Sequence, residues 1–519
     1  MATPRERFVE ALKFLQGLQE KGIVGIHTDD MPSRKHRELL GKNGFIKEVT
    51  KGWYIATNPE EKDGETTAWY SSYWDFVATF LEKKYGSNWC LSADQSLQLH
   101  AGNYAVPQQL LLRSPQGNNN PTPLPHHTSL FNMRSDLPQA DQMMMTANGI
   151  RMYNLQAALI YSSAGVYTRN AIDARTGLSL IRDASELLPI LLENGHTTLA
   201  GRLAGAFRNI GREKIADQII DTFKQADYDV REEDPFEHKV DLQLSPRERS
   251  PYANRIRLMW LEMREAVLAN FPPPPGLPAN KETFLKNVDA IYVTDAYHSL
   301  SIERYRVTPE LIAKVSSGEW DTKENEEDRK QRDVMAARGY FQAFQSVKES
   351  INTILNGKNA GAQVDIDHSK WYRQLFDPSV VAGILKASDL AGYRSHQVYI
   401  GNSKHVPLNV DAMRDAMPVF FELLEQELEP AVRVVLGHFI FVFIHPYMDG
   451  NGRMGRFLMN AMLASGGYPW TVIPVESRNE YMQALEQASV DNNIVPFARF
   501  LGELVTKGMN GNPVAELPA

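Results

Sequence analysis

The stretch HPYMDGNGRMGR, residues 445–456, gathers a histidine, a carboxylate, an asparagine, glycines and two arginines into twelve positions. Each of these types has a chemical use in that order. His445 stands just before the glycines and can take a proton from a hydroxyl attacking phosphorus. Gly450 and Gly452 permit backbone angles that a side chain would forbid, so successive N–H groups of the loop and helix start can form an anion nest. Arg453 and Arg456 lie three apart, about one helical turn, and can offer forked donors to phosphate oxygens from one side. Asp449 is a hard oxygen ligand beside that nest, which suits Mg²⁺ held mainly by phosphates. The constellation reads as phosphoryl or nucleotidyl transfer, where positioning and charge neutralisation carry most of the catalysis. It is not a Walker loop, having no GxxxxGK[ST], nor a zinc helix, having no second histidine at ligand spacing. The plain alternative is a helix connection with a structural histidine and surface arginines, and it requires all of these types to coincide by chance.

Such a loop needs rigid elements on both sides. VVLGHFIFVFI, 434–444, is apolar almost all round and predicts a helix buried on every face, ending where Pro446 appears. A second helix is expected over 453–464. So mounted, the motif resembles the signature of the Fic (filamentation induced by cAMP) family, HxFx(D/E)GNGRxxR. The resemblance implies that His445 deprotonates a target hydroxyl and that Asp449 holds Mg²⁺. It further implies that Gly450, Asn451, Gly452 and Arg453 bind nucleotide phosphates, with Arg456 on the γ-phosphate of ATP. Tyr447 stands where the family usually has Phe, a conservative core change. The full GNGR form implies AMP transfer, because relatives that phosphorylate their targets have a lysine in this loop.

Three further segments extend the resemblance. YRSHQVYIGNSKHVPLNVDAM, 393–413, alternates apolar and polar residues around a Gly-Asn-Ser turn and predicts a hairpin. It resembles the family's flap, whose edge would pair with a target protein by strand addition. In YHSLSIERYRV, 297–307, Ser299 and Glu303 are four apart and so share a helix face. This is similar to the family's inhibitory motif (S/T)xxxE(G/N), in which the glutamate pairs with the second motif arginine, here Arg456, and stops ATP from binding productively. Arg304 replaces the usual Gly or Asn. EYMQALEQAS, 480–489, resembles the segment that closes over the adenine, with Tyr481 matching a nucleotide-contacting tyrosine.

The remaining chain is less specific. Of 519 residues, 43% are hydrophobic and 23% charged, the profile of a multidomain soluble protein. One cysteine, no signal peptide and no long apolar run predict a cytoplasmic protein without a membrane span. A net charge of −8 leaves only local nucleic-acid sites open. Residues 1–57 read as helix, helix, basic helix and hairpin, a winged helix–turn–helix in which Arg34, Lys35 and Arg37 could meet DNA, with Lys47 and Lys51 on the wing. The same module equally serves protein contacts. With the mixed α/β region 58–270 it resembles the AbiEi-type antitoxin and regulator architecture. A break near 57–67 and a low-complexity loop at 113–127 are expected, and Met143–Met145 reads as core filling. The four prolines of FPPPPGLPAN, 271–280, predict a stiff linker ahead of a Fic domain at 281–519. The charged run 319–333 reads as a solvated helix or loop.

The expected protein is predominantly α: a C-terminal all-α Fic fold with a β-hairpin flap, preceded by a winged helix and a mixed α/β domain. Its expected activity is protein adenylyltransfer, with ATP and Mg²⁺ as cofactors and autoinhibition through Glu303. Two rivals stay open, a DNA-binding regulator whose Fic domain senses nucleotide and an enzyme that removes AMP from modified targets. A homodimer is also open.

Overall fold

The computed structural model describes residues 4–61, 64–193, 195–239, 250–317 and 332–518. Most of the charged run, 319–331, lies outside them. The chain divides into two compact units, residues 1–255 with 399–406, and residues 256–398 with 407–519. The division falls between Arg255 and Ile256, inside the helix Pro251–Asn270, ahead of the proline segment where the sequence places it.

The first unit opens with the helix Pro4–Glu20, a 3₁₀ turn Thr28–Asp30 and the helix Arg34–Lys42. The turn stands where a second full helix was expected. A three-stranded antiparallel sheet follows, ordered Ile26–His27, Trp53–Ala56, Ile46–Thr50. One face of it buries Ile46 against Ile26 and Leu40, and the other buries Val49, Trp53 and Ile55 in a second core. Arg34 and Lys35 are exposed at their helix start, and Arg34 pairs with Glu38 at 2.7 Å. Beyond it, the helix Thr67–Tyr85 lays Trp69, Tyr73, Phe76 and Phe80 into an aromatic core. The adjoining sheet runs Cys90–Leu91, Gln109–Ser114, Thr128–Arg134, Pro121–Leu124, with its central pair parallel. The expected loop at 113–127 thus contains a strand. Its prolines are tolerated because it lies on the sheet edge, where a missing N–H breaks no ladder. Met143–Met145 also departs from expectation: it is a strand paired with Arg151–Tyr153, and Met144 and Met145 are exposed.

The segment 399–406 belongs to this unit although it comes late in the chain. Val106 N–H donates to the Lys404 carbonyl at 2.9 Å, and Thr66 N–H donates to Asn402 Oδ1 at 3.1 Å. Val406 packs against the aromatic core.

The second unit is a helical bundle. Its central pair is Pro430–Ile444 and Asn451–Gly466, flanked by Arg332–Leu355, Ala360–Val381 and Val410–Gln426. In Pro430–Ile444 every residue but Pro430, Arg433 and Val442 is buried, which explains an apolar pattern with no polar face. The proline segment is exposed over 273–277 but anchored, Gly276 N–H donating to Gly466 O at 3.2 Å. Its prolines, lacking N–H groups, offer carbonyls, and Pro272 O accepts from the Tyr468 hydroxyl at 2.7 Å. Asn280 then caps the helix Lys281–Ile302, its side chain accepting from Thr283 N–H at 2.9 Å. Among the described residues no helix is long and apolar enough to cross a membrane.

Candidate active site

His445 ends the buried helix Pro430–Ile444 in a left-handed conformation, φ 56° and ψ 61°. Its Nδ1 lies 3.1 Å from the Val442 carbonyl, so Nδ1 carries the proton and Nε2 is left as the basic nitrogen. Burial pushes its pKa down to about 4, helped by Arg394 and opposed by Glu303 and Asp449. The imidazole is therefore neutral at neutral pH, as a base must be.

The two glycines of the loop serve different ends. Gly450, the N-cap of Asn451–Gly466, has φ 79°, the left-handed angle expected of it. Gly452 does not; it is ordinary helix. What it supplies is room, since a Cβ there would lie 2.3 Å from Glu303 Oε1. Asn451 is buried and closes the loop on itself: its Oδ1 accepts from Tyr447 N–H at 2.9 Å and its Nδ2 donates to Tyr447 O at 2.8 Å. Its side chain is thus engaged, leaving backbone N–H groups at the helix start to face an anion.

Arg453 is 1% exposed, yet its Nε and Nη2 have no hydrogen-bond partner. The guanidinium lies over the rings of Tyr305 and Phe376, at 5.1 and 5.0 Å, and Asp449 is 3.8 Å away. Buried unsatisfied donors are costly, about 1–3 kcal/mol each, so this geometry fits an anionic group that completes it. Asp449 is exposed and accepts from Gly450 N–H at 2.6 Å. An exposed carboxylate beside unsatisfied arginine donors fits Mg²⁺ bound chiefly through phosphate and water.

Arg456 is tied to the helix Lys281–Ile302 and its cap through Nε and Nη2, while its buried Nη1 has no hydrogen-bond partner. Its Nε donates to Ser299 Oγ at 2.8 Å, and its Nη2 donates to Ser299 O at 3.0 Å and to Glu303 Oε1 at 2.8 Å. Burial works to raise the Glu303 pKa, but Arg456, then Arg453 and Arg478, outweigh it and hold the carboxyl below its usual range. Glu303 is the helix C-cap, and Arg304 follows at φ 66°. Arg304 N–H donates to Ser301 O and Tyr305 N–H to Leu300 O, the two bonds of a Schellman stop. That left-handed position is why Gly or Asn suits it. The predicted Ser299, Glu303 and Arg456 therefore meet, 153 residues apart in chain for the ion pair.

Tyr481 is buried behind this contact, its hydroxyl 2.7 Å from His438 Nε2. The segment 393–413 makes a turn at Ile400–Ser403, with Asn402 at φ 60°, but its arms form no hydrogen-bonded ladder. Sequence reasoning missed three residues. Asp295, one turn before Ser299, accepts from Tyr340 and Trp470 at 2.7 and 2.9 Å. His438 was visible as the single histidine inside the apolar run. Arg394 is 1% exposed and binds the His445 carbonyl, and only its place in an alternating segment could have marked it.

Residues 368–463 match the model of the Fic/DOC family. The likeness to that family is thus confined to the helices and loop around His445. The matched region spans Arg394, His445 and the arginine pair, but neither Glu303 nor Tyr481. Over 122 residues the chain is 38% identical to the protein adenylyltransferase Fic of Drosophila yakuba and 37% to that of Drosophila willistoni. Those matches cover 23% of this chain and 24% of each relative, so it spans about a quarter of the length of the curated relatives it matches. A solved Fic-1 fragment from C. elegans covers 67% of this chain, and 97% of the fragment is matched, at 16% identity and a TM-score of 0.37. The Fic domain containing signaling protein from Bacteroides thetaiotaomicron covers 51%, and 99% of that chain is matched, at 16% identity and a TM-score of 0.34.

Proposed function

We propose that the Fic domain transfers AMP from ATP to a hydroxyl side chain of a protein, and that Glu303 restrains it. The observation that carries this reading is the juxtaposition of a neutral His445, its Nε2 free, with a buried Arg453 whose donors lack partners. The curated Drosophila relatives are named for the same activity.

In this reading the nucleotide phosphates lie along the start of Asn451–Gly466, on its backbone N–H groups and the Arg453 guanidinium. Asp449 would hold Mg²⁺, which supplies charge neutralisation at the phosphates. A target hydroxyl gives its proton to His445 Nε2 as its oxygen bonds to the α-phosphorus. The bond from that phosphorus to the bridging oxygen breaks, and pyrophosphate leaves. General-base help of this kind contributes about 10²–10⁴-fold.

Arg456 cannot serve a γ-phosphate while Ser299 and Glu303 occupy it, and the Glu303 carboxylate would repel that phosphate. Two measurements test the reading. Protein incubated with ATP labelled at the α-phosphate should become labelled, and His445→Ala should not. Equal labelling in both, or label arriving only from the γ-position, sinks the transferase. Glu303→Gly should raise self-labelling about tenfold or more, because it frees the fork. A variant no faster than the parent removes the restraint from the scheme.

A further inference from the structure

Arg394 lies at the root of the flap segment, and its hydrogen bonds go to backbone oxygens on two sides of the site. Its Nε donates to the His445 carbonyl at 2.8 Å, and its own N–H donates to the Pro446 carbonyl at 2.9 Å. Its Nη1 donates to His396 O at 3.0 Å, and its Nη2 donates to Leu408 O. The guanidinium thus fixes the His445 peptide of the catalytic loop and both arms of the flap, and the backbone N–H adds the Pro446 peptide. None of these partners is a carboxylate, so a buried positive charge stands uncompensated beside the base. Burial lowers its pKa only to about 10, and it stays charged at neutral pH.

We infer that Arg394 is a positioning residue that holds His445 in its left-handed backbone and sets the flap arms in register with it. The inference rests on the transferase reading for its kinetic consequence but not for its structural one. A non-glycine residue at φ 56° needs its surroundings to hold it, and the carbonyl that its ψ orients, His445 O, is the one the Arg394 guanidinium ties down. The same bonds place His396 and Leu408, so a segment docked between the arms meets Nε2 at a fixed offset. A misplacement of about 1 Å in such an arrangement costs about 10²-fold in rate.

The charge has a separate effect. The charged groups that face His445 are Arg394, which lowers its pKa, and Glu303 and Asp449, which raise it. Two variants separate position from charge. Arg394→Lys keeps the charge but cannot aim three donors at three carbonyls. Arg394→Gln loses both.

The test uses the full chain with ring-labelled histidine, His445→Ala assigning the His445 signal. In Arg394→Gln the His445 pKa should rise by about 0.5–1 pH unit, while Arg394→Lys should leave it in place. In a Glu303→Gly background, single-turnover AMP transfer should fall about 10²-fold in both variants, with affinity for a non-hydrolysable ATP analogue within about threefold of the parent. Unchanged transfer in either variant overturns the positioning role. So does loss of nucleotide affinity in step with rate, which marks general unfolding. An unmoved His445 pKa in Arg394→Gln overturns the electrostatic part. Should the Glu303→Gly parent transfer no AMP, the transferase reading fails, and the titration still decides whether Arg394 governs His445.

Discussion

At the scale of single residues, the motif's members stood out by type and spacing, whereas the structural reasons for several positions did not. Gly452 looked like a backbone-angle glycine and is a space-making one, because the atom it makes room for belongs to a helix cap about 150 residues earlier in the chain. Tyr447 looked like a neutral exchange for Phe. Its ring stacks on Tyr372 with centroids 3.7 Å apart, but its buried hydroxyl has no hydrogen-bond partner. Tyr447→Phe should therefore stabilise the protein by about 1 kcal/mol, read as a higher midpoint in urea. A lower midpoint shows the hydroxyl to be bonded after all. Arg304 is the opposite case, a residue whose departure from the motif could be seen but not priced. Its φ of 66° disfavours a side chain by about 1–2 kcal/mol, so Arg304→Gly should raise thermal stability and tighten the Schellman stop behind Glu303. Lower self-labelling than the parent is the expected companion result; higher self-labelling counts against the coupling of that stop to Arg456.

At the scale of elements, the helix Lys281–Ile302 presents Asp295, Ser299 and the Glu303 cap at four-residue spacing along one face. The sequence exposed the latter two through their resemblance to a motif. Asp295 was hidden because a buried aspartate leaves no periodic signature. Burial pushes its pKa up to about 6, against the Tyr340 and Trp470 donors and the nearby Arg456, which pull it down. A folded-state pKa above the unfolded value near 3.8 means that its contribution is most favourable below that value and is lost as pH rises through about 6. At pH 7.5 the ionised group destabilises the fold by about 3 kcal/mol in this accounting. Asp295→Asn can accept from Trp470 and donate to the Tyr340 oxygen, so it should be more stable than the parent at pH 7.5. At pH 5 about half of that gap should remain, and it should close only as pH falls below about 3.8. Denaturant midpoints at both pH values measure this, and a variant less stable at pH 7.5 contradicts it. The stripe would then anchor the helix Lys281–Ile302 through its charge rather than despite it.

At the scale of the whole molecule, the sequence placed one cut at the prolines of 271–280, because composition reports backbone stiffness. The chain's own division is interleaved: residues 399–406 are part of the first unit, held by hydrogen bonds to residues about 300 positions away. Local periodicity carries no information about such pairing, so only the turn at Gly401-Asn402 could be foreseen. The flap root, in contrast, is fixed within the second unit by Arg394. A chain cut to residues 256–519 would keep that root but lose the partners of the tip, namely the Val106 and Thr66 donors and the core under Val406. With three anchors gone and short arms lacking a ladder, local opening there should become nearly free. Limited proteolysis of that fragment should cut first within 399–406, while the intact chain should resist at those bonds under the same conditions. Equal resistance of both would mean that the arms hold the tip by themselves.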